Sequence, residues 1–183
     1  MVKIAYLLLC HKNAESVIAQ ARALTEAGDV VAIHFDKRGS NVEFQKIKDV
    51  ADAAPDIMLA KRVACGWGEY SLVQATSHLI YAARSAFEGV THYFMISGDC
   101  YPTKTRAFID RVLEPADRDF IEMHDFMESD WIKTGMKEDR LHYRHWFNER
   151  TQKKAFYASL NLQRKFGLNR KIPDRLTVLI GSQ

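Results

Sequence analysis

The chain has few cysteines, little imbalance of charge and no long apolar run, and each shortage excludes a class of protein. Three cysteines, Cys10, Cys65 and Cys100, are an odd number at wide spacing, which matches neither a disulfide framework nor a zinc ligand set. We therefore expect a reducing compartment and a cytoplasmic location. The 26 Lys and Arg residues barely exceed the 23 Asp and Glu residues, so the chain lacks the basic stripe of a nucleic-acid-binding protein. The apolar run at residues 3–10 is too short for a signal-peptide core or a membrane span.

Hydrophobic residues make up 47% of the 183 positions, which is enough for one core of ordinary domain size. They form short continuous runs that alternate with stretches of helical periodicity. The runs predict strands at Lys3–Cys10, Val30–Phe35, Asp56–Val63, His92–Ser97 and Asp119–Met123, and a last strand at Leu176–Ile180. The helical stretches begin after Asn13, a candidate N-cap, and continue at Val42–Ala53, Ser71–Phe87, Thr105–Leu113 and Glu149–Phe166.

This alternation predicts an α/β fold with a mainly parallel sheet and helices on both faces, because right-handed crossovers place helices on each side. In such sheets the ligand site lies beyond the carboxyl ends of the strands. The loops that follow the strands are therefore the candidate functional segments.

The loop after the first strand, Cys10–Asn13, contains no glycine. A dinucleotide-binding fingerprint needs glycines there so that the backbone can approach a pyrophosphate, which argues against an NAD site. Asp36 closes the second strand, where an acidic side chain accepts hydrogen bonds from a nucleoside, and a turn or cap residue is the alternative interpretation. We interpret His11 and His34 as structural.

Two further segments carry aromatic rings. Trp67 lies between two glycines in residues 65–71, which predicts a tight turn that presents a wall for a base or a sugar ring; a packing tryptophan is the alternative. Residues 140–146 combine aromatic and guanidinium groups, which suits stacking on sugars or phosphates, and a solvated helix face is the alternative.

The loop after the fourth strand, Ser97–Pro102, has a single carboxylate, Asp99, where sugar-nucleotide transferases of this architecture often place an Asp-x-Asp metal pair. One carboxylate is a poor magnesium or manganese site, so we expect no metal. We expect basic residues to neutralise the phosphate charge instead, namely Lys37, Arg38, Lys104 and Arg106. Zinc is not expected either, because no tetrahedral set emerges from His124, Asp125, Asp139, His142 and His145.

Four patches, in chain order, resemble the core-2/I-branching glycosyltransferase family, which includes the peptide O-xylosyltransferases. They are KIAYLLLCHKN, VVAIHFDKR, WGEYSLVQA and ISGDCYPTKT. The segment DFIEMHDFMESDWIKTGMKEDR is similar to the acceptor segment of the xylosyltransferases, and the terminal IGSQ is similar to the start of the family's Gly-Ser-x-Trp motif. The resemblance covers nearly the whole chain and is to the amino-terminal portion of bacterial-like members.

The resemblance implies a GT-A-like fold of Rossmann type and an inverting, metal-independent transfer of N-acetylglucosamine or xylose from a UDP-sugar. The acceptor would be a hydroxyl of a glycan or a protein, with no cofactor and no nucleic acid involved. Carried over by position, the nucleotide-sugar-binding residues are Cys10, His11, Asp36, Lys37, Cys65, Trp67, Ser97, Gly98 and Asp99. The acceptor-binding residues are Glu122, His124 and Arg140.

The resemblance also implies where the catalytic base lies. In the family the carboxylate base and the diphosphate-binding cations follow the Gly-Ser-x-Trp motif, so we expect the base beyond Gln183, with Asp99 and Glu122 as alternatives within the chain. Cys100 stands where many members have an aspartate before the aromatic-proline pair. We accordingly expect the 183-residue chain to be inactive alone.

We expect one GT-A-like domain, incomplete at its carboxyl end, in which residues 1–123 form the nucleotide-sugar-binding half and residues 124–183 begin the acceptor half. A peripheral membrane association is expected only through segments outside this sequence. A non-catalytic nucleotide-sugar-binding or interaction module is the second hypothesis. A cofactor-dependent reductase or methyltransferase is the third, and the glycine-poor first loop disfavours it.

Overall fold

The computed structural model describes residues 2–116, 118–121, 123–125, 139–171 and 179–181, of which 123–125 and 179–181 are described as backbone. The chain forms two compact units, Met1–Ala116 and Asp117–Gln183. The first unit contains a four-stranded parallel sheet of β1 (Ile4–Cys10), β2 (Val30–Phe35), β3 (Ile57–Leu59) and β4 (His92–Ser97) in the order β3-β2-β1-β4. Cys10 pairs with Phe35 and Leu9 pairs with Ser97, so β1, β2 and β4 end together at one edge.

Four helices cover this sheet, α1 (Ala14–Thr25), α2 (Asn41–Ala53), α3 (Tyr70–Ala86) and α4 (Arg106–Leu113). Alternate residues of β1 point to opposite faces and enter two separate cores. One face packs on α1 and α2 through Ile4, Tyr6, Leu8, Val17 and Ile47. The other packs on α3 through Ala5, Leu7, Leu79 and Ala83. The predicted α/β class, with helices on both faces of a parallel sheet, is confirmed.

The helix starts follow from local side-chain caps. Asn13 adopts a left-handed conformation, with φ at 55°, and its side chain accepts a hydrogen bond from the Ser16 main-chain nitrogen, which confirms the predicted N-cap of α1. Ser40 and Thr105 cap α2 and α4 in the same way. Each cap satisfies a main-chain donor that the helix itself leaves unpaired.

The third strand is shorter than predicted, because β3 ends at Leu59 instead of Val63. The Ala60 main-chain nitrogen still donates to the Ile33 carbonyl, but the next link to β2 is made by a side chain: Nε2 of His34 accepts from the Val63 nitrogen at 2.9 Å. Residues 60–66 therefore run beside the end of β2 without forming a strand.

The second unit contains β5 (Met123–Asp125), α5 (Asp139–His142), α6 (Lys153–Phe166) and β6 (Leu179–Gly181). The two strands pair antiparallel with each other and do not extend the parallel sheet. The predicted strand at Asp119–Met123 is wrong in its bounds, because Phe120 and Ile121 are exposed and lie outside any strand. The predicted helix up to Phe166 is confirmed, and Gly167 ends it at a φ of 60°.

Of the predicted last strand, Leu176–Ile180, residues 176–178 lie outside the described residues, and Leu179 and Ile180 lie in β6 as predicted. Among the helices in the described ranges, none has the length and apolar character needed to cross a membrane.

Candidate functional site

The loops at the carboxyl edge of the first sheet are joined by main-chain hydrogen bonds. The Asp36 nitrogen donates to the Cys10 carbonyl at 2.8 Å, and the Gly98 nitrogen donates to the Leu9 carbonyl at 2.9 Å. The Lys37 nitrogen donates to Val63, which brings the segment after β3 to the same edge. The structure therefore gathers the loops that follow all four strands, the place where open α/β sheets bind ligands.

Asp36 joins two of these loops through its carboxylate. The residue is 8% exposed, and its Oδ1 accepts a hydrogen bond from the Arg38 nitrogen at 2.7 Å. Its Oδ2 accepts from the Cys65 nitrogen at 3.2 Å and lies 3.5 Å from the Arg38 guanidinium. Each carboxylate oxygen has two lone pairs, so Asp36 keeps acceptor capacity beyond these contacts. Asp36 thus acts as a turn residue, as one of the two interpretations holds, and its role towards a nucleoside stays a prediction.

A buried histidine and an arginine support the Asp36 loop from the side. Burial lowers the pKa of His34, which keeps the ring neutral and lets Nε2 accept the Val63 hydrogen bond. Arg62 lies 4.1 Å above the Phe44 ring, and its guanidinium donates to the carbonyls of Phe35 and Asp36. The structural role predicted for His34 is confirmed. Arg62 was missed, because the carbonyls to which it donates lie more than 20 residues earlier in the sequence.

The turn at residues 65–69 presents Trp67 beside this edge. The Gly66 nitrogen donates to Oγ of Ser71 at 2.8 Å, and the Glu69 nitrogen donates back to the Gly66 carbonyl. Gly68 has a φ of 70°, a conformation that glycine adopts without strain. The turn leaves the Trp67 side chain 64% exposed, so the packing interpretation is wrong and an accessible indole surface flanks the site.

Two cysteines of the site are buried and unreactive in character. Sγ of Cys10 donates to the His34 carbonyl at 3.5 Å, and burial raises the pKa of this thiol to about 12. Burial, with the nearby Asp36 carboxylate, also raises the pKa of Cys65. Both thiols stay protonated at neutral pH and serve as small wall residues.

The loop after β4 forms a tight turn over residues 97–100. The Cys100 nitrogen donates to the Ser97 carbonyl at 3.0 Å, and the Ser97 hydroxyl lies 3.2 Å from Sγ of Cys100. The Ser97 hydroxyl lowers the pKa of Cys100, which is exposed. Gly98 is required by space, because a Cβ there would lie 2.9 Å from Cβ of Cys10. Asp99 projects from the turn, largely exposed, with its carboxylate 3.6 Å from Nζ of Lys12.

Of the basic residues expected near phosphate, Lys37 and Arg38 lie exposed in the loop after β2, and Lys104 is exposed after β4. Arg106 corrects the expectation. Its guanidinium donates to the Asp29 carboxylate and to the Val2 carbonyl, and the hydrogen bond to Asp29 raises its pKa. Because Val2 and Asp29 precede β1 and β2, Arg106 lies at the opposite, amino edge of the sheet.

The candidate acceptor residues belong to the second unit. Glu122 lies outside the described residues, His124 is described as backbone of β5, and Arg140 is exposed on α5. Of the residues considered for zinc, Asp139 pairs with Arg164 and the His145 ring stacks on Phe156 at 5.6 Å. Across the described ranges no group of three or more His, Cys, Asp or Glu residues is arranged to hold a metal ion.

The fold is an α/β architecture of the GT-A-like type, with its candidate residues at the strand ends where such folds bind ligands. The chain belongs to the Core-2/I-Branching enzyme family, whose family model matches residues 4–183. This is a family of glycosyltransferases, so membership implies a nucleotide-sugar donor and an acceptor, and it excludes the reductase and methyltransferase hypothesis. No curated protein matches the chain significantly.

Proposed function

We propose that the carboxyl edge of the parallel sheet binds a UDP-sugar and serves an inverting, metal-independent transfer of N-acetylglucosamine or xylose to a hydroxyl acceptor. The observation that carries the proposal is the bond between Asp36 and the Cys65 nitrogen, which joins two strand-end loops beside the exposed Trp67. A buried acceptor next to an aromatic surface is the chemistry that recognises a nucleoside.

In this proposal the nucleoside lies between the Asp36 loop and Trp67. The free lone pairs of the Asp36 carboxylate accept from a ribose hydroxyl or from the uracil N–H, and the indole stacks on the base or on a sugar ring. Cys10 and Cys65 contribute small buried walls, since both thiols remain neutral. The structural role of Asp36 is part of this arrangement, because the same carboxylate that meets the ligand also fixes the Cys65 turn.

In this proposal basic side chains, and not a metal ion, neutralise the charge of the diphosphate. Lys12, Lys37 and Arg38 follow β1 and β2 at the carboxyl edge, and their side chains are exposed. A leaving diphosphate gains negative charge as the glycosidic bond breaks, so fixed cations stabilise it. Asp99 offers one carboxylate in the described loop and that carboxylate lies beside Lys12, a pairing that suits a cation-lined site better than a metal site.

The transfer step requires one further group. The acceptor oxygen attacks the anomeric carbon as the bond from that carbon to the diphosphate oxygen breaks, and the electron pair leaves with UDP. The acceptor proton passes to a carboxylate base. The base is expected after Gln183, where the family carries it, and Asp99 on the β4 loop and Glu122 are the alternatives within this chain.

A non-catalytic nucleotide-sugar-binding module is the second candidate function. It is favoured by the contacts that the Asp36 and Asp99 carboxylates already make within the chain. Asp36 accepts from main-chain nitrogens, and Asp99 pairs with Lys12. Incubation with UDP-N-acetylglucosamine or UDP-xylose and an acceptor separates the two when the assayed protein carries the expected catalytic base, because a transferase then releases UDP and a binding module does not.

Calorimetric titration of two variants tests where the nucleotide lies. We expect Trp67→Ala to weaken UDP binding by about 5- to 150-fold, since stacking on an aromatic ring contributes roughly 1–3 kcal/mol. Tyr81→Ala is the matched control, because Tyr81 is 74% exposed in the middle of α3, away from the strand ends. Equal loss of affinity in the two variants, or none in Trp67→Ala, would refute the placement.

A further inference from the structure

A buried glutamine of α1 holds the turn at residues 97–100 from beneath. Gln20 is 3% exposed, and its Nε2 donates to the Ser97 carbonyl at 3.3 Å and also to the Cys100 carbonyl. These two carbonyls mark the two ends of the turn. The side-chain amide of Gln20 therefore binds both ends of a turn that lies about 80 residues later in the sequence.

The surroundings of Gln20 show that this amide is not there for packing. It lies on the buried face of α1 with Val17, Ala21 and Leu24, where an aliphatic side chain is the usual occupant. Its Oε1 has no hydrogen-bond partner among the described residues, although the atom is buried. An unpaired buried amide oxygen is destabilising, so only the contacts of Nε2 offset the presence of a polar group.

We propose that Gln20 is a positioning residue for the donor site: by binding both ends of the turn, it sets the direction in which Ser97 and Asp99 project. The consequence for donor binding rests on the proposed function. Without Gln20, the turn keeps the bond from the Gly98 nitrogen to Leu9 and its own closing bond, but the Cys100 carbonyl loses its donor.

The turn contains its own reporter, because Cys100 is the exposed cysteine and the other two are buried. The Ser97 hydroxyl beside Sγ favours the thiolate, so the pH profile of alkylation reports whether the contact between Ser97 and Cys100 is kept. In Gln20→Met, which keeps the volume of the side chain, we expect the midpoint of this profile to rise and the alkylation rate at pH 7 to fall about fivefold. Loss of alkylation in Cys100→Ser identifies the reacting thiol.

A second measurement asks whether the turn serves donor binding. We expect Gln20→Met to weaken UDP-sugar binding about tenfold and UDP binding much less, because we place the donor sugar against Ser97 and Asp99 of this turn. Gln163→Met is the matched control, since Gln163 is also a buried helical glutamine bonded to the main chain, in the second unit. It is expected to change stability without moving either readout.

The outcomes separate the two ideas. An unchanged Cys100 profile in Gln20→Met overturns the positioning role, as does unchanged UDP-sugar affinity in a protein whose wild type binds the donor. If the wild type binds no UDP-sugar, the proposed function fails, and the Cys100 profile still decides whether Gln20 sets the turn. Should Gln20→Met fold poorly, Gln20→Leu gives the same test, because it removes the donor and leaves an aliphatic side chain on the buried face of α1.

Discussion

Replacing Asp36 by alanine removes the side chain that joins the loops after β2 and β3. The carboxylate accepts from the Arg38 nitrogen at 2.7 Å and from the Cys65 nitrogen at 3.2 Å. Arg38 is exposed, so water replaces the first bond in the variant. Cys65 is buried, and its N–H is left without an acceptor.

The cost of Asp36→Ala follows from these two contacts. A buried N–H left unpaired costs about 1–3 kcal/mol, and loss of the charge-assisted bond to Arg38 adds about 1 kcal/mol. The Arg38 guanidinium is mostly exposed and adds nothing to this sum. We expect the free energy of unfolding to fall by about 2–4 kcal/mol, which lowers the melting temperature by roughly 4–16 °C in a chain of this size.

Differential scanning calorimetry measures this change. Asp36→Asn should lie between wild type and Asp36→Ala, because its single amide oxygen replaces one of the two acceptors. Asp52→Ala is the control, since Asp52 is exposed on α2 and pairs with Lys48 at the surface. A melting temperature for Asp36→Ala equal to that of Asp52→Ala would refute the role of the carboxylate in holding the loops together.

Three further predictions concern other positions of the first unit. Burial lowers the pKa of His34 in the folded chain below the ordinary 6.5, so the unfolded chain binds more protons and stability is lost as the pH falls through 6.5. The wild type should therefore lose more stability between pH 7.5 and 5.5 than His34→Gln. Equal losses in the two proteins would contradict this. Arg106→Met leaves the buried Asp29 carboxylate unpaired and should cost about 3–5 kcal/mol in denaturant unfolding, with UDP affinity unchanged because both residues lie at the amino edge. Gly98→Ala forces a Cβ against Cys10, which should lower the free energy of unfolding by about 1–3 kcal/mol and also weaken donor binding. A variant as stable as wild type would show that the turn can shift to make room for the Cβ.

Features that depend on near neighbours in the sequence were predictable. The continuous apolar runs identified β1 and β2, because strands covered on both faces need apolar residues at every position. A similar run identified β4, although Tyr93, Phe94 and Met95 of that strand are exposed. Asn13 was identified as a cap because its side chain bonds only three residues ahead. The site at the carboxyl edge followed from the parallel arrangement alone.

Features that depend on distant contacts were not predictable. Arg106 looks like any basic residue after a strand, and only the folded chain shows that it meets Asp29, 77 residues earlier. Gln20 looks like an ordinary polar helix residue, although its amide is buried and bonds to a turn 80 residues later. The end of β3 was misplaced because the His34 side chain, and not a strand partner, pairs with the main chain at Val63.

The most direct test of the account is a calorimetric titration of the 183-residue protein with UDP in buffer that contains EDTA. The account predicts saturable binding with one site per chain, preference for UDP over GDP and NAD, and the same affinity after EDTA is replaced by manganese. Loss of affinity for UDP in Asp36→Ala, at a temperature where that variant is folded, would place the site at the carboxyl edge. Binding that appears only with manganese, or a preference for NAD, would contradict the metal-independent UDP-sugar site.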